Sequence, residues 1–208
     1  DYFIKMVDAG IDWISVSIDG VDNTYNSIRK PLKFDDTLKK ISDISKYKKE
    51  NSLKKPVIKI QSIWPAIRDN PEKYYNLFEP ITDMIAFNPI IDNLGNDENI
   101  EYEENFSCSK LYERVFIASN GTAHMCNCDE IGKHPIGSAL TQTIHEIWHG
   151  DELEKVRETH KKKNGFKEME ICRECFYPRA TEVNEPAKVN DRTILIENYT
   201  NREQEIGK

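Results

Sequence analysis

No cysteine precedes Cys108 in this chain of 208 residues, and all five cysteines lie between Cys108 and Cys175. A disulfide framework is usually denser than this and belongs to a smaller, secreted domain. An odd number of cysteines that includes close pairs instead favours metal ligation in a reducing compartment. We therefore expect a cytoplasmic, metal-binding protein rather than one stabilised by disulfides.

The sequence also lacks an excess of basic residues and a long apolar run. Its formal net charge of −7 argues against a general nucleic-acid binder, which would present a basic face. No apolar run reaches the roughly 18 residues that a membrane span needs, so we expect no membrane partner. The chain begins without an initiator methionine, and we expect it to be a segment of a longer protein.

The first half alternates stretches that are typical of strands and of helices. Apolar and β-branched runs predict strands, and apolar residues at a spacing of three or four predict helices between them. In chain order these are Trp13–Ile18, Phe34–Tyr47, Val57–Ile63, Pro71–Phe78 and Asp83–Asn88. Such alternation predicts an α/β fold with a parallel sheet. Three strands are too few to close a barrel, and we expect the missing half to lie upstream.

Polar side chains stand at the carboxyl ends of the predicted strands, where parallel sheets bind ligands. They are Ser17, Asp19, Gln61, Ser62 and Asn88. These residues either contact a ligand or simply begin loops, and the sequence alone leaves both interpretations open.

The second half predicts a smaller module between a linker and a tail. The acidic stretch Asp92–Asn105 indicates a linker, and Asn120-Gly121 between two apolar runs indicates a β-hairpin. The stretch Thr143–Lys161 predicts a helix that Gly150 divides. We expect a loosely held tail after Arg179, which gives domains over residues 1–98, 99–180 and 181–208.

The cysteine spacing predicts a metal site. The turn between Cys172 and Cys175 directs both sulfurs to one side, and the hairpin can bring Cys108 close to Cys126. Four thiolates suit either a four-iron cluster or a structural zinc. Spacing leaves Cys128 open as an alternative to Cys126, because alternate residues of a strand share a face. His124 would share that face too, although lone histidines are more often packed or surface residues than ligands.

The cysteine module resembles the SPASM/twitch domain of radical S-adenosylmethionine (SAM) enzymes. That family has a Cys, a Gly that four residues separate from a second Cys, and a later Cys-x-x-Cys, which correspond to Cys108, Gly121, Cys126 and the pair Cys172 and Cys175. The stretches Pro135–Gly137, Ile147–Trp148 and Leu153–His160 also look like the family pattern. The resemblance implies that Cys126, rather than Cys128, is a ligand. It also implies iron–sulfur rather than zinc, as one auxiliary 4Fe–4S cluster of the twitch form.

The first half resembles the later strands of the radical SAM barrel. The fold implied is the C-terminal part of a partial (β/α)6 barrel, followed by a small α+β SPASM/twitch domain with a β-hairpin. In relatives, the residues at the positions of Ser17 and Arg29 help to bind SAM, and the arginine engages its carboxylate. A planar guanidinium suits that carboxylate. The resemblance gives weaker support for a similar role of Gln61.

The chain departs from the family in lacking the Cys-x3-Cys-x2-Cys motif that holds the catalytic cluster. The resemblance therefore implies the C-terminal portion of an enzyme, inactive alone, whose partners are the missing N-terminal half of the barrel and a peptide or small-molecule substrate. No catalytic residue is assigned. Two other hypotheses remain at this point: a structural zinc module and a peptide-docking module without catalytic activity.

Overall fold

The computed structural model describes residues 2–91, 99–202 and 204–206, apart from the side chains of Asn184 and Glu185. The chain divides into two compact units. The first comprises Asp1–Ile90, Glu182–Asn198 and Arg202–Lys208, and the second comprises Ile91–Thr181 and Tyr199–Asn201. Residues 92–98 of the predicted linker lie outside the described residues, as does the boundary predicted between residues 98 and 99.

The first unit alternates helices and strands as the sequence predicts. Its elements are α1 (Tyr2–Asp8), β1 (Trp13–Ser17), α2 (Asp22–Ile28), α3 (Phe34–Glu50), β2 (Val57–Ile63), α4 (Pro71–Phe78) and β3 (Met84–Asn88). Short 3₁₀ turns follow β2 at Trp64–Ala66 and α4 at Glu79–Ile81. The order of elements confirms the α/β class of this unit.

The three strands form a parallel sheet in the order β1-β2-β3. The register places Ser17 opposite Gln61 and Ile63 opposite Asn88, so the carboxyl ends of the strands share one edge of the sheet. Residues of β2 alternate in burial, with Ile58 and Ile60 buried. The sheet therefore brings the polar residues at its strand ends to a common edge.

The start of helix α3 is bonded by a side chain from outside the helix. Its N-cap is Lys33, which makes no side-chain cap, and the free N–H of Phe34 is bonded at 2.8 Å by the side-chain oxygen of Asn26. Asp35 and Asp36 lie in the first turn, where a negative charge interacts favourably with the helix dipole. A side chain of the preceding helix α2 thus accepts the first amide of α3, because a carboxylate already inside the helix does not face the first amides.

The second unit has short strands and short helices. They are β4 (Phe116–Ile117), β5 (Thr122–His124), β6 (Pro135–Ser138), α5 (Ile144–Trp148), α6 (Asp151–Lys161) and α7 (Glu170–Glu174). Two 3₁₀ helices, Ser109–Tyr112 and Gly165–Glu168, join them. The hairpin prediction is confirmed: Ile117 pairs with Ala123, and Gly121 has a φ of +85° in the turn. Strand β6 adds to the hairpin as a third antiparallel strand.

The predicted division of the long helix at Gly150 is also confirmed. Helix α5 ends before Gly150, and α6 begins after it, with Gly150 in an extended conformation at the N-cap. Thr143 opens α5 with a capping box, in which its side chain accepts from Glu146 N–H and Glu146 bonds back to Thr143 N–H. Both helices contribute buried residues to the core of this unit, Ile147 from α5 and Leu153 from α6.

The prediction of a loosely held tail over residues 181–208 is wrong for most of that segment. Residues Thr181–Val189 and Arg192–Tyr199 form a two-stranded sheet, β7 and β8. Asn190, with a φ of +53°, begins the two-residue turn between them. A two-stranded ribbon needs only one apolar face, so Ala187 and Ile196 join the buried core of the first unit while the other face stays polar. That one-sided pattern explains the polar composition.

No helix among the described residues is long and apolar enough to cross a membrane.

The packing of β8 predicts that substitutions at two adjacent residues will differ in their effect on stability. Replacement of Ile196, which is 3% exposed, by Ala should destabilise the first unit by about 2–5 kcal/mol through a cavity in its core. Replacement of Leu195, which is 64% exposed, by Ala serves as the control and should change the stability little. Thermal unfolding followed by circular dichroism measures both. Equal midpoints for the two variants would contradict the packing of this strand.

Candidate metal centre

One cavity of the second unit is lined by all five cysteines. Its volume is about 450 Å³, including the part open to solvent. Apolar side chains supply much of the remaining wall, among them Phe106, Leu111, Met125 and Ile171. The cavity therefore combines thiols, which bind soft metals, with walls that keep water away from them.

The cysteines reach the cavity from three separate places in the chain. Cys108 is the residue before the 3₁₀ helix Ser109–Tyr112, and Cys126 and Cys128 follow strand β5. Cys172 lies in α7, and Cys175 is the residue at which that helix ends. The structure thus places the four predicted ligands on one cavity, and it places Cys128 there as well.

Cys128 lies between two of the predicted ligands. Its sulfur is 3.7 Å from that of Cys175, and it also bonds to the thiol of Cys126. A hydrogen bond from Cys128 lowers the pKa of Cys126 to about 6 and lowers the pKa of Cys175, while the same contacts raise the pKa of Cys128. The arrangement favours Cys126 and Cys175 as thiolates and Cys128 as the thiol that donates, although its single proton serves only one of them at a time.

Two further cysteines are difficult to ionise without a metal. Burial raises the pKa of Cys108 and raises the pKa of Cys172, and the neighbouring thiolates add to both shifts. A coordinating cation removes this cost, because it supplies the opposite charge directly at the sulfur. The thiols therefore suit a positively charged centre better than they suit a free state.

Residues 108–176, about a third of the chain, match the family model described as the SPASM iron–sulfur cluster-binding domain. This segment is a SPASM domain. A search of curated proteins and a search of solved structures each found no match to the chain. Five thiols on one partly apolar cavity fit the iron–sulfur cluster that this domain type binds.

Asp129 organises the loop that follows Cys126 in the SPASM domain. Its side chain is fully buried, and its two carboxylate oxygens accept the N–H groups of Lys133 and His134, each at 2.8 Å. His124 packs against the same loop, because its Nδ1 is 2.9 Å from the carbonyl oxygen of Asp129. The sequence reasoning missed Asp129. A signal for it is an Asp directly before the turn residues of a loop that already carries two cysteines.

His124 does not line the cavity, so the structure does not place it among the candidate ligands. A different histidine does: His160, from helix α6, is buried against Cys108 and Cys172. Burial lowers the pKa of His160 and favours the neutral ring. In the sequence, His160 stood out only as the end of the stretch Leu153–His160, which resembles the family pattern. Nothing in the sequence alone indicated that it contacts a cysteine.

Arg157 secures the helix that carries His160. Its guanidinium is buried, donating from Nε to the carbonyl oxygen of Leu111 at 3.1 Å and from Nη1 to that of Trp148 at 3.0 Å. It also lies over the Trp148 ring, 4.6 Å from the ring centre, as cation–π pairs do. These bonds join α6 to α5 and to the 3₁₀ helix that follows Cys108.

In the first unit, the structure brings some strand-end residues together. Gln61 donates to the Ser17 hydroxyl at 3.1 Å, across neighbouring strands. Asp19 forms an ion pair with Arg29 and accepts the N–H of Ile63 at 3.1 Å. Ser62 accepts the N–H of Gly20, whereas Asn88 has only its strand register to place it at this edge. Ser17 and Arg29 thus lie at the same edge, each already engaged by a neighbouring polar residue.

The buried carboxylate of Asp129 gives a prediction for the SPASM domain. Replacement of Asp129 by Asn leaves one of the two N–H groups facing an amide N–H2 instead of an acceptor, and should destabilise the domain by about 1–3 kcal/mol. Replacement of the neighbouring, exposed Glu130 by Gln is the control and should have little effect. Thermal unfolding measures both. A variant at Asp129 as stable as the control would contradict the role of this carboxylate.

Proposed function

We propose that the SPASM domain binds one auxiliary 4Fe–4S cluster through Cys108, Cys126, Cys172 and Cys175. The observation that carries the proposal is the convergence of these thiols on one cavity of a domain whose family binds iron–sulfur clusters. Each thiolate of such a cluster binds its own iron atom. Four cysteines that line one cavity suit such a cluster.

The geometry favours a cluster over a single zinc ion. A tetrahedral zinc with bonds of about 2.3 Å to sulfur needs four sulfurs about 3.8 Å from one another. Within the described part of the chain, no three His, Cys, Asp or Glu side chains are arranged to hold a single metal ion. A four-iron cluster instead binds each thiolate to a separate iron, and all four proposed ligands line this one cavity.

The proposal assigns Cys128 to a donor role. Its thiol lies 3.7 Å from Cys175 and lowers the pKa values of two proposed ligands, so it stabilises their thiolate forms. Cys126 keeps the ligand position because it combines a depressed pKa with hydrogen bonds from the backbone amides of Cys128 and Asp129. All five cysteines are free of disulfides, which supports a reducing compartment, and we place the protein in the cytoplasm.

This assignment predicts different outcomes for two neighbouring cysteines. After anaerobic reconstitution with iron and sulfide, the protein should hold about four irons per chain and show the broad visible absorption of a cluster. The Cys128→Ser variant should keep that iron, because a serine hydroxyl still donates to the thiolates, whereas Cys126→Ser should lose most of it. Iron and zinc analysis of the anaerobic samples measures both.

Two results would contradict the assignment. Stoichiometric zinc without iron in the wild-type protein would support the structural zinc module instead. Loss of iron from Cys128→Ser, with iron retained by Cys126→Ser, would exchange the roles of the two cysteines.

We further propose that the chain is the C-terminal portion of a radical SAM enzyme. Support comes from the SPASM domain together with the parallel α/β unit, whose strand β1 pairs only with β2 among the described residues. An unpaired edge strand presents N–H and C=O groups with which a further strand can pair. The open side of β1 is therefore a position for the missing N-terminal half of a partial (β/α)6 barrel, which would carry the catalytic cluster.

Ser17 and Arg29 are the residues we propose for SAM. The ion pair with Asp19 fixes one side of the Arg29 guanidinium, and that side chain remains 37% exposed. A guanidinium held in this way presents its remaining N–H groups to a carboxylate in a defined plane. The substrate class we propose is a peptide or small molecule, and the auxiliary cluster, when bound, supplies an electron acceptor or an anchor for that substrate.

The SAM proposal predicts a charge-specific loss of binding. Replacement of Arg29 by Ala should weaken SAM binding by about 10- to 100-fold, since a hydrogen bond between charged groups contributes about 1.5–3 kcal/mol. The control is Lys30→Ala, which removes an exposed positive charge next in the sequence and should leave the affinity nearly unchanged. Equilibrium dialysis with labelled SAM measures the dissociation constants. Equal affinities for the two variants would contradict the role of Arg29.

A further inference from the structure

His160 connects two of the proposed ligands through its two ring nitrogens. Its Nδ1 lies 3.4 Å from the backbone nitrogen of Cys108, and its Nε2 lies 3.5 Å from the sulfur of Cys172. The residue is 1% exposed, so water does not compete for either nitrogen. An imidazole in this position acts on the cysteines around it without being one of the four ligands.

The two contacts determine which nitrogen carries the proton. A backbone N–H can only donate, so Nδ1 must accept and is unprotonated. A neutral imidazole with a bare Nδ1 carries its hydrogen on Nε2. The remaining hydrogen therefore points at the sulfur of Cys172, and the contact is an Nε2–H···S hydrogen bond.

The fold fixes the orientation of this ring. His160 lies in the last turn of α6, one turn after Arg157, whose bonds to Leu111 and Trp148 hold the helix in place. The ring accepts the N–H of the loop residue Cys108, so rotation of the imidazole would leave a part-buried amide without this acceptor. The ring can neither turn nor exchange its nitrogens without breaking both contacts.

The hydrogen bond to Cys172 comes from an imidazole rather than from a backbone amide or from the Cys128 thiol. Backbone amides donate to Cys108, to Cys126 and to Cys175, the last from Tyr177 N–H at 3.4 Å. Cys172 receives its bond from a side chain. Substitution can remove a side-chain donor while the backbone stays intact, so this bond can be tested separately from the fold.

We propose that His160 is a positioning residue that raises the reduction potential of the auxiliary cluster by donating a hydrogen bond from Nε2 to the Cys172 thiolate. This inference rests on the proposed cluster. A donor at a ligating sulfur stabilises negative charge, and the reduced cluster carries one more electron than the oxidised one. The bond therefore stabilises the reduced state more, and the cluster accepts an electron at a higher potential than it would without His160.

Two substitutions at the same position separate the hydrogen bond from packing. His160→Leu fills a similar space and has no donor, so the potential should fall. His160→Gln keeps one acceptor and one N–H donor on its amide and should stay closer to the wild-type potential. The control is His149→Leu, which removes an exposed histidine of the same domain and should leave the potential unchanged. Redox titration of the reconstituted proteins, followed by electron paramagnetic resonance (EPR) of the reduced cluster, gives each potential.

The measurement distinguishes failure of this inference from failure of the cluster assignment. Iron is counted first: a wild-type protein without a cluster refutes the proposed function. With the cluster present, a potential that does not change in His160→Leu, or that falls equally in His160→Gln, overturns the inference, because the second result assigns the effect to packing.

A second measurement uses the wild-type fold and does not depend on His160→Leu holding its cluster. Pulsed EPR of the reduced protein, produced with ¹⁵N-labelled histidine, should show a weak coupling to a histidine nitrogen. That coupling should be absent from the His160→Gln variant, which still contains His149. Absence of a histidine coupling in the wild-type protein would overturn the hydrogen bond itself.

Discussion

The cysteine cavity depends on one constraint: thiols buried among apolar side chains must be ionised to bind metal, and burial opposes their ionisation. The domain meets this constraint with hydrogen bonds and nearby donors. Amides of the loop after β5 bond to Cys126, the Cys128 thiol donates to Cys126 or to Cys175, and His160 bonds to Cys172. Each donor lowers the cost of negative charge on a sulfur before any metal is considered.

Buried polar groups then hold these donors in position. Asp129 fixes the loop after Cys126 by accepting two amides, and Arg157 joins the helix of His160 to the segment that follows Cys108. Neither residue contacts the cavity through a metal-binding atom. They form a second layer of hydrogen bonds, which sets the orientation of ligands in metal sites generally. The strand ends of the first unit are arranged similarly, since Asp19 holds Arg29 and Gln61 holds Ser17.

The sequence predicted the features that repeat or that depend on chain-local chemistry. Alternating apolar runs predicted the three parallel strands, Asn120-Gly121 predicted the hairpin, and Gly150 the division of the helix. The cysteine spacing predicted one common site, and the structure places all five cysteines on one cavity. Asp129, Arg157 and His160 were not assigned roles, because their importance comes from burial and from partners distant in the chain, which no local pattern encodes. For the same reason spacing alone could not rank Cys126 against Cys128.

The C-terminal hairpin was missed for a different reason. Its polar composition is typical of a tail, but a ribbon with one buried face needs few apolar residues, here Ala187 and Ile196. Composition averages the two faces and hides the alternation along β8. The two-residue turn that begins at Asn190 was the local signal for it.

That hairpin also sets an order of events during synthesis. The first unit is discontinuous in sequence: Asp1–Ile90 emerges from the ribosome early, and Glu182–Asn198 only after the entire cysteine segment has been made. Ala187 and Ile196 complete the core of that unit, so its full stability is not available while the SPASM domain is being translated. All five cysteines are therefore synthesised before the first unit can finish folding.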